Sequence, residues 1–308
     1  MSVFRKLFGV LLAIVLLCGA LQVGGSLRPA PEVEGALKPT EVQREATEEI
    51  VDRLDLHYLR LKFNDALSER IFAQYLKDLD PNRLFLSQQD IQAFQVYRDK
   101  LDDQLGEGVL EGGYTIFNRY QSHLETRLTA IVAELNAGFD DWRFDDDTPV
   151  ELDRTKADWA SDQDALGRIW DRQLKNAVLS MRLNGTDEKE IQKRLVSRYQ
   201  SQLDRVRQNT SEDVFQLYMN AVTQSFDPHT TYFPPHNSEN FDISMSRSLE
   251  GIGAVLQYED GYTKVVRLVP GGPAAKSGQL KPADRIVGVG QEDKDMVNII
   301  GMRLDEGV

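Results

Sequence analysis

Ser248–Gln257 reads S-L-E-G-I-G-A-V-L-Q, and the chemistry it offers belongs to the main chain rather than to side chains. Gly251 and Gly253 flank Ile252 and lead into Ala254-Val255-Leu256, a pattern that places a tight turn in front of a strand. With no side chain to block approach, the amides of such a turn converge on a concavity for an anion, and the strand edge beyond it accepts an added peptide strand. Together these features capture a free C-terminal carboxylate, with Gly251, Ile252, Gly253 and Ala254 as the residues that hold it. The same G-x-G also suits a bulge or a plain strand start.

Side-chain chemistry is thinner. Lys276-Ser277 sets a base beside a nucleophile, but adjacent residues on a short helix point in different directions and do not share a proton easily. His57, His123, His229 and His236 fall in no recognisable nucleophile–base arrangement. Ser225–Pro235 reads S-F-D-P-H-T-T-Y-F-P-P; Asp227 before Pro228 ends a helix, and a structural turn is the leading reading against a metal or catalytic role for His229 and His236, whose acidic neighbours lack ligand spacing. Phe139–Asp147 is acidic but lacks the alternating oxygens and glycine turn of a calcium loop, so it reads as a solvated connection with Trp142 and Phe144 tucked against helices. No catalytic residue, metal site or cofactor is assigned within the chain.

The elements that position the glycine turn follow from periodicity. After it, Tyr262–Val269 is a second strand-like run, Pro273–Gly278 a short helix with proline early and glycine just past its end, and Leu280–Gly290 a turn and another strand. Before it, Thr40 to Phe226 is helical in pattern. Thr40 caps a helix carrying Val42, Ala46, Ile50 and Leu54; a second runs through Phe63, Leu67, Ile71, Phe72 and Tyr75; Ser87 opens a third with Ile91, Phe94 and Leu101. Further helices span about Tyr114–Leu135, Asp164–Leu183 and Glu188–Arg207, and a last one from near Ser211 places Val214, Leu217, Tyr218, Ala221 and Val222 on one face. The expected fold is an all-α N-terminal domain of about six to eight helices followed by a small, mainly β domain.

Composition sets the class. The chain has 308 residues, 41% of them apolar, enough for two domains with proper cores. Its 36 basic and 49 acidic residues give a net charge of −13 with no basic cluster, which argues against nucleic acid as a partner. Arg5 and Lys6, the apolar run Leu7–Leu17 and the small residues after it have the layout of a secretory signal, and the run is shorter than a bilayer span. Membrane contact is expected only through that segment. Leu17 stands where a lipoprotein signal needs a small residue, so Cys18 is not read as a lipid site, and no disulfide can form.

The G-I-G-A turn followed by P-A-A-K-S-G (residues 273–278) resembles a PDZ domain of the bacterial protease type. Ala283 departs from the glycine in the L-K-P-G-D-R-I pattern of such domains, at a turn. With D-P-H-T-x-Y-x-x-P from Asp227 to Pro235, L-D-P-N-R-L-F-L-S-Q-Q-D-I from Leu79 to Ile91 and the stretch Trp159–Leu183, the chain from about residue 40 onward resembles the carboxy-terminal processing proteases. The resemblance implies a periplasmic serine endopeptidase that recognises non-polar C-terminal tails and cuts with a lysine-activated serine, both in a core beyond Val308. It also implies that Met302–Asp305 begins a second helix walling the peptide groove, that residues 241–308 are an incomplete PDZ domain folding poorly alone, and that the small Ala254 tolerates Ala or Val as the terminal residue. Expected segments are a signal at 1–20, a flexible leader at 21–39, the helical domain at 40–226 and a connecting segment at 227–240. Expected partners are proteins with free apolar C-termini and, as in some family members, an adaptor lipoprotein. The alternative is a secreted adaptor that binds tails without cutting them.

Overall fold

The computed structural model describes residues 35–57, 59, 61–139, 141–145, 147–234, 251–259, 261–290 and 296–304. The signal expected at 1–20, most of the leader and the His236 end of the connecting segment lie outside them.

Helices are α1 (Glu41–Asp55), α2 (Asp65–Leu79), α3 (Gln88–Phe94), α4 (Leu101–Gly106), α5 (Glu111–Ala137), α6 (Gln163–Leu183), α7 (Glu188–Arg207) and α8 (Ser211–Phe226). Local chemistry sets their starts. Thr40, Ser87 and Thr210 form reciprocal capping boxes with Gln43, Asp90 and Asp213, and Asn64 caps α2. α8 ends at Phe226, where Asp227 turns extended and precedes Pro228.

The helices enclose two apolar cores. One gathers Leu67, Ile71 and Tyr75 of α2, Phe117 near the start of α5, and Phe215, Tyr218 and Val222 of α8. The other gathers Leu128, Ile131 and Leu135 near the end of α5 with Trp170 and Leu174 of α6 and Ile191 and Leu195 of α7. α5 belongs to both, and at about 1.5 Å per residue it is long enough, some 40 Å, to reach from one to the other. Trp142 and Phe144 pack on the second core, where the Arg182 guanidinium stands 4.4 Å from the Phe144 ring centroid.

Three details depart from the helical periodicity. On α1 the buried residues are Gln43, Thr47, Val51 and Leu54, while Val42 is 73% exposed. The face is turned by one residue because Gln43 enters a polar knot: its amide donates to Glu212 at 3.0 Å, and its oxygen accepts from the backbone of Thr40 and lies 2.9 Å from the Tyr114 hydroxyl. Leu101 does not continue the helix of Ile91 and Phe94, since a 3₁₀ turn at Gln95–Tyr97 intervenes. Leu217 on α8 is 39% exposed, and Phe215 and Met219 are buried in its place. The end of the expected leader is tied down: Leu37 exchanges two 2.9 Å bonds with the Asn118 side chain, and the Ser211 hydroxyl donates to the Lys38 carbonyl.

The second unit contains β1 (Ala254–Glu259), β2 (Tyr262–Leu268), a one-turn helix α9 (Pro273–Ser277), β3 (Arg285–Ile286), β4 (Gly288–Val289) and β5 (Val297–Asn298). β1, β2 and β3 form an antiparallel sheet in that order, and β4 pairs with β5. Residues 299–304 are a turn, closed by the Met302 amide on the Ile299 carbonyl, so no second helix has begun by Leu304. Val287, Val289, Met296, Val297 and Ile300 are left exposed.

Ala283 is more than a turn variant. Its φ is +73°, a left-handed conformation that costs an L-residue roughly 1–2 kcal/mol, and it is pinned there because its amide donates to Val265 at 2.8 Å. Ala283→Gly removes that strain at some cost in unfolded-chain entropy, so a gain of about 0.5–1 kcal/mol is expected in urea unfolding. A loss of stability would mean that the turn holds alanine without strain.

Candidate functional site

The glycine turn sits at the head of β1, against the start of α9. Gly253 has φ +72° and is buried; a Cβ there would lie 3.0 Å from the Cα of Gly272 and 3.2 Å from Pro273 Cδ. Two carbonyls hold the turn: that of Ile252 accepts from Ala274 at 2.8 Å, and that of Gly253 from Val269 at 2.8 Å. Gly251 has φ +153° with open space around it, and the Ile252 side chain is half exposed.

The amides point elsewhere. Among the described residues nothing accepts from the N–H of Ile252 or Gly253. Val269 bonding to Gly253 makes Ala254 and Leu268 a non-hydrogen-bonded antiparallel pair, which turns the Ala254 N–H and C=O away from β2. β1 has β2 on one side and no described strand on the other. Among the described residues the turn therefore presents main-chain donors beside an unpaired edge of β1, and the consecutive Gly251, Ile252, Gly253 and Ala254 supply them.

Elsewhere, polar clusters are structural. The Ser277 hydroxyl donates to the Ala274 carbonyl of its own helix at 3.0 Å and accepts from Gln279, which occupies it away from Lys276. Ser87, Asp90 and His123 form a serine–carboxylate–histidine row, but the carboxylate stands in the middle: Ser87 Oγ is 2.6 Å from Asp90 Oδ2, and His123 Nε2 is 3.0 Å from Asp90 Oδ1. A nucleophile needs the histidine next to the serine, so this row caps and docks α3 rather than activating a hydroxyl. In the D-P-H-T segment, Asp227 accepts from the His229 amide at 2.9 Å, Tyr232 donates its amide to Asn220, and His57 Nε2 lies 3.8 Å from Asp227. This is the turn expected of an Asp-Pro pair; His236 lies outside the described residues.

Burial pushes the Asp90 carboxyl up, but hydrogen bonds from His123 and Ser87 outweigh it and hold the group at about 2. A carboxyl depressed from 3.8 stabilises the fold fully above its unfolded value and loses that contribution as pH falls through about 2. The gap is worth roughly 2 kcal/mol for so enclosed a side chain. The stability difference between the wild type and Asp90→Asn should be full above pH 4 and close towards pH 2; a difference independent of pH would contradict this.

Sequence reasoning missed the junction between the two units. Arg303 makes a bidentate pair with Asp213, at 2.6 and 3.0 Å, and Gln208 donates to the Gly301 carbonyl at 2.9 Å. Burial raises the Asp213 carboxyl, while bonds from Arg303 and Thr210 bring it below the usual carboxylate range. No local pattern announces contacts spanning some ninety positions.

Among the described residues, a helical domain followed by a small antiparallel β unit, with a glycine turn at the head of an edge strand, defines a two-part chain. Residues 50–236 match the family model "Tail specific protease N-terminal domain" and residues 242–308 match the PDZ domain model. The chain belongs to the tail-specific protease family. It is 34% identical to the tail-specific protease of Haemophilus influenzae over 90% of this chain and 41% of that protein. It is 37% identical to the carboxy-terminal processing protease CtpA of Bacillus subtilis over 27% of this chain and 16% of that one. The crystal structure of the PDZ domain of a Vibrio cholerae carboxy-terminal protease in complex with peptide is 62% identical over 19% of this chain and 59% of that chain, with a TM-score of 0.19. The chain thus spans about two fifths of the length of its Haemophilus relative.

Proposed function

We propose that this chain is the tail-recognising part of a periplasmic serine endopeptidase. Gly251, Ile252, Gly253 and Ala254 hold the carboxylate of a protein's free, apolar C-terminus through main-chain donors, and the tail adds as a strand along β1. The observation that carries this reading is the buried, left-handed Gly253, wedged under Gly272 and Pro273, with the main chain of Ala254 facing the open edge. Ile252 and Ala254 flank the seat of the last side chain, and the small Ala254 leaves room for Ala or Val there.

Cutting falls to a serine and a lysine base in the remainder of the whole protein. A lysine in a dry site loses its proton near neutral pH and can then deprotonate a serine hydroxyl. Residues 1–308 alone are accordingly proposed to be inactive in hydrolysis. The secretory layout of residues 5–20 supports export, and an adaptor lipoprotein is a proposed partner by family likeness alone.

The test uses full-length protein and peptides ending in Ala or Val, with free and amidated C-termini. Free ends should bind at least tenfold tighter, the loss of a charge-assisted set of bonds being worth about 1.5–3 kcal/mol. Equal affinity for both forms would rule out carboxylate capture. Cleavage of an apolar-tailed substrate by the full-length protein but not by residues 1–308 supports the division of labour; turnover by residues 1–308 would overturn it.

A further inference from the structure

The tail does not end at its carboxylate; its upstream part must continue along β1. We infer that the helical domain contributes a subsite for the captured tail, and that this subsite takes an acidic side chain about four or five residues before the C-terminus. The inference rests on the carboxylate-capture reading above.

Direction comes first. A tail whose carboxylate sits at Gly251–Ala254, at the head of β1, and which pairs with the open edge of that strand must run antiparallel to it. It then passes Val255, Leu256, Gln257 and Tyr258 in turn, at about 3.4 Å per residue. Tyr258 stands opposite a residue roughly 13 Å upstream of the terminus.

At that point the β unit meets the helical domain around a cavity of about 300 Å³. Tyr258, Arg303 and Leu304 form one wall; Arg205 of α7, Asn209 of the α7–α8 connection and Asp213 of α8 form the other. The charges there are unequal. Asp213 is fully engaged, accepting from both guanidinium nitrogens of Arg303 and from the Thr210 amide and hydroxyl. Arg205 is exposed and makes no ion pair or side-chain hydrogen bond with any described residue. Among the described residues the cavity therefore carries one uncommitted cation, beside Tyr258 near the end of β1, on a chain of net charge −13. A carboxylate reaching in meets Arg205 while its methylene stem lies along Tyr258 and Leu304; a lysine or arginine there meets the Arg205 guanidinium, Arg303 being neutralised by Asp213, and is repelled. Selection for a feature remote from the terminal residue would narrow the range of tails that an apolar end alone admits.

The test uses full-length protein and free-ended peptides finishing in Val, with Asp, Ala or Lys placed singly at each of the third to sixth positions from the end, binding read by fluorescence anisotropy at low salt. At the fourth or fifth position Asp should bind about fivefold tighter than Lys, the scale of one solvent-accessible ion pair, and the preference should fade as salt is raised. Arg205→Ala should reduce it to within twofold and Arg205→Glu should invert it; both changes are on an exposed side chain, and thermal unfolding confirms that the fold is kept. No charge preference at any position, or one that survives Arg205→Ala unchanged, overturns the subsite. The amidated series separates the two readings: if amidation leaves affinity unaltered, carboxylate capture has failed, whereas weak binding of all amidated peptides with no Asp–Lys difference among the free ones removes only the subsite.

Discussion

Asp80→Ala should destabilise the helical domain by roughly 3–5 kcal/mol, the largest effect expected of any single polar side chain in it. Asp80 lies between α2 and α3 and is only 2% exposed. Its two carboxylate oxygens accept three consecutive main-chain amides, from Leu84 at 2.8 Å and from Phe85 and Leu86 at 2.9 Å each. Those amides belong to a connection in which Arg83 is left-handed, with φ +52°, so the chain is bent sharply and cannot satisfy the amides through helix bonds. Alanine would leave donors beside buried Leu86 with nothing to bond. The same connection supplies the Leu84 carbonyl that accepts from the Trp170 indole at 2.9 Å and the Phe85 ring that packs on Tyr120 and Trp170, so losing it loosens both cores together. Urea unfolding of the wild type, Asp80→Ala and Asp80→Asn provides the measurement. Asparagine keeps one acceptor oxygen and should fall between the two; an alanine variant within 1 kcal/mol of wild type would show that water or backbone shifts satisfy the amides.

How far the fold was legible can be judged from particular elements. α7 and α8 could be placed almost to the residue because Ile191, Leu195, Tyr199 and Leu203 recur at helical spacing and because Thr210 and Asp213 mark a helix start. The face of α1 could not, since periodicity weighs Val42 above Gln43, whereas the fold buries Gln43 among Tyr114, Ser211 and Glu212, residues far away in sequence. Phe94 and Leu101 share a helical phase, and nothing local reports the 3₁₀ turn between them. Nothing local marks Asp80, which precedes Pro81, as the acceptor of three main-chain amides. Ala283 reads as a tolerable exchange until its φ is known. The glycine turn was the most legible part of the candidate site because its chemistry is backbone chemistry, and glycine spacing encodes backbone directly. Arg205 was the least legible: its place beside Tyr258 and Arg303 exists only once the helical domain and the β unit have met.

Gly253→Val should abolish tail binding, lowering affinity by more than tenfold, and should weaken the β unit as well. Two independent obstacles add at this position. A β-branched residue at φ +72° carries backbone strain of at least 1–2 kcal/mol. Space is also closed, since the Cβ would meet Gly272 Cα at 3.0 Å and Pro273 Cδ at 3.2 Å, and both belong to a backbone clamped by the Ala274-to-Ile252 and Val269-to-Gly253 bonds. Relief requires the turn to lift off α9. That breaks one or both bonds and displaces the amides of Ile252, Gly253 and Ala254, on which the proposed carboxylate seat depends. Ile252→Ser, by contrast, alters an exposed side chain and leaves the main chain in place; it should change which terminal residue is preferred while the difference between free and amidated peptides persists. Anisotropy titrations of both variants with free and amidated peptides make the comparison. A Gly253→Val protein that still favours free over amidated ends tenfold would show that the carboxylate is held somewhere other than this turn, because no relaxed valine backbone at that position can keep the three amides where they stand.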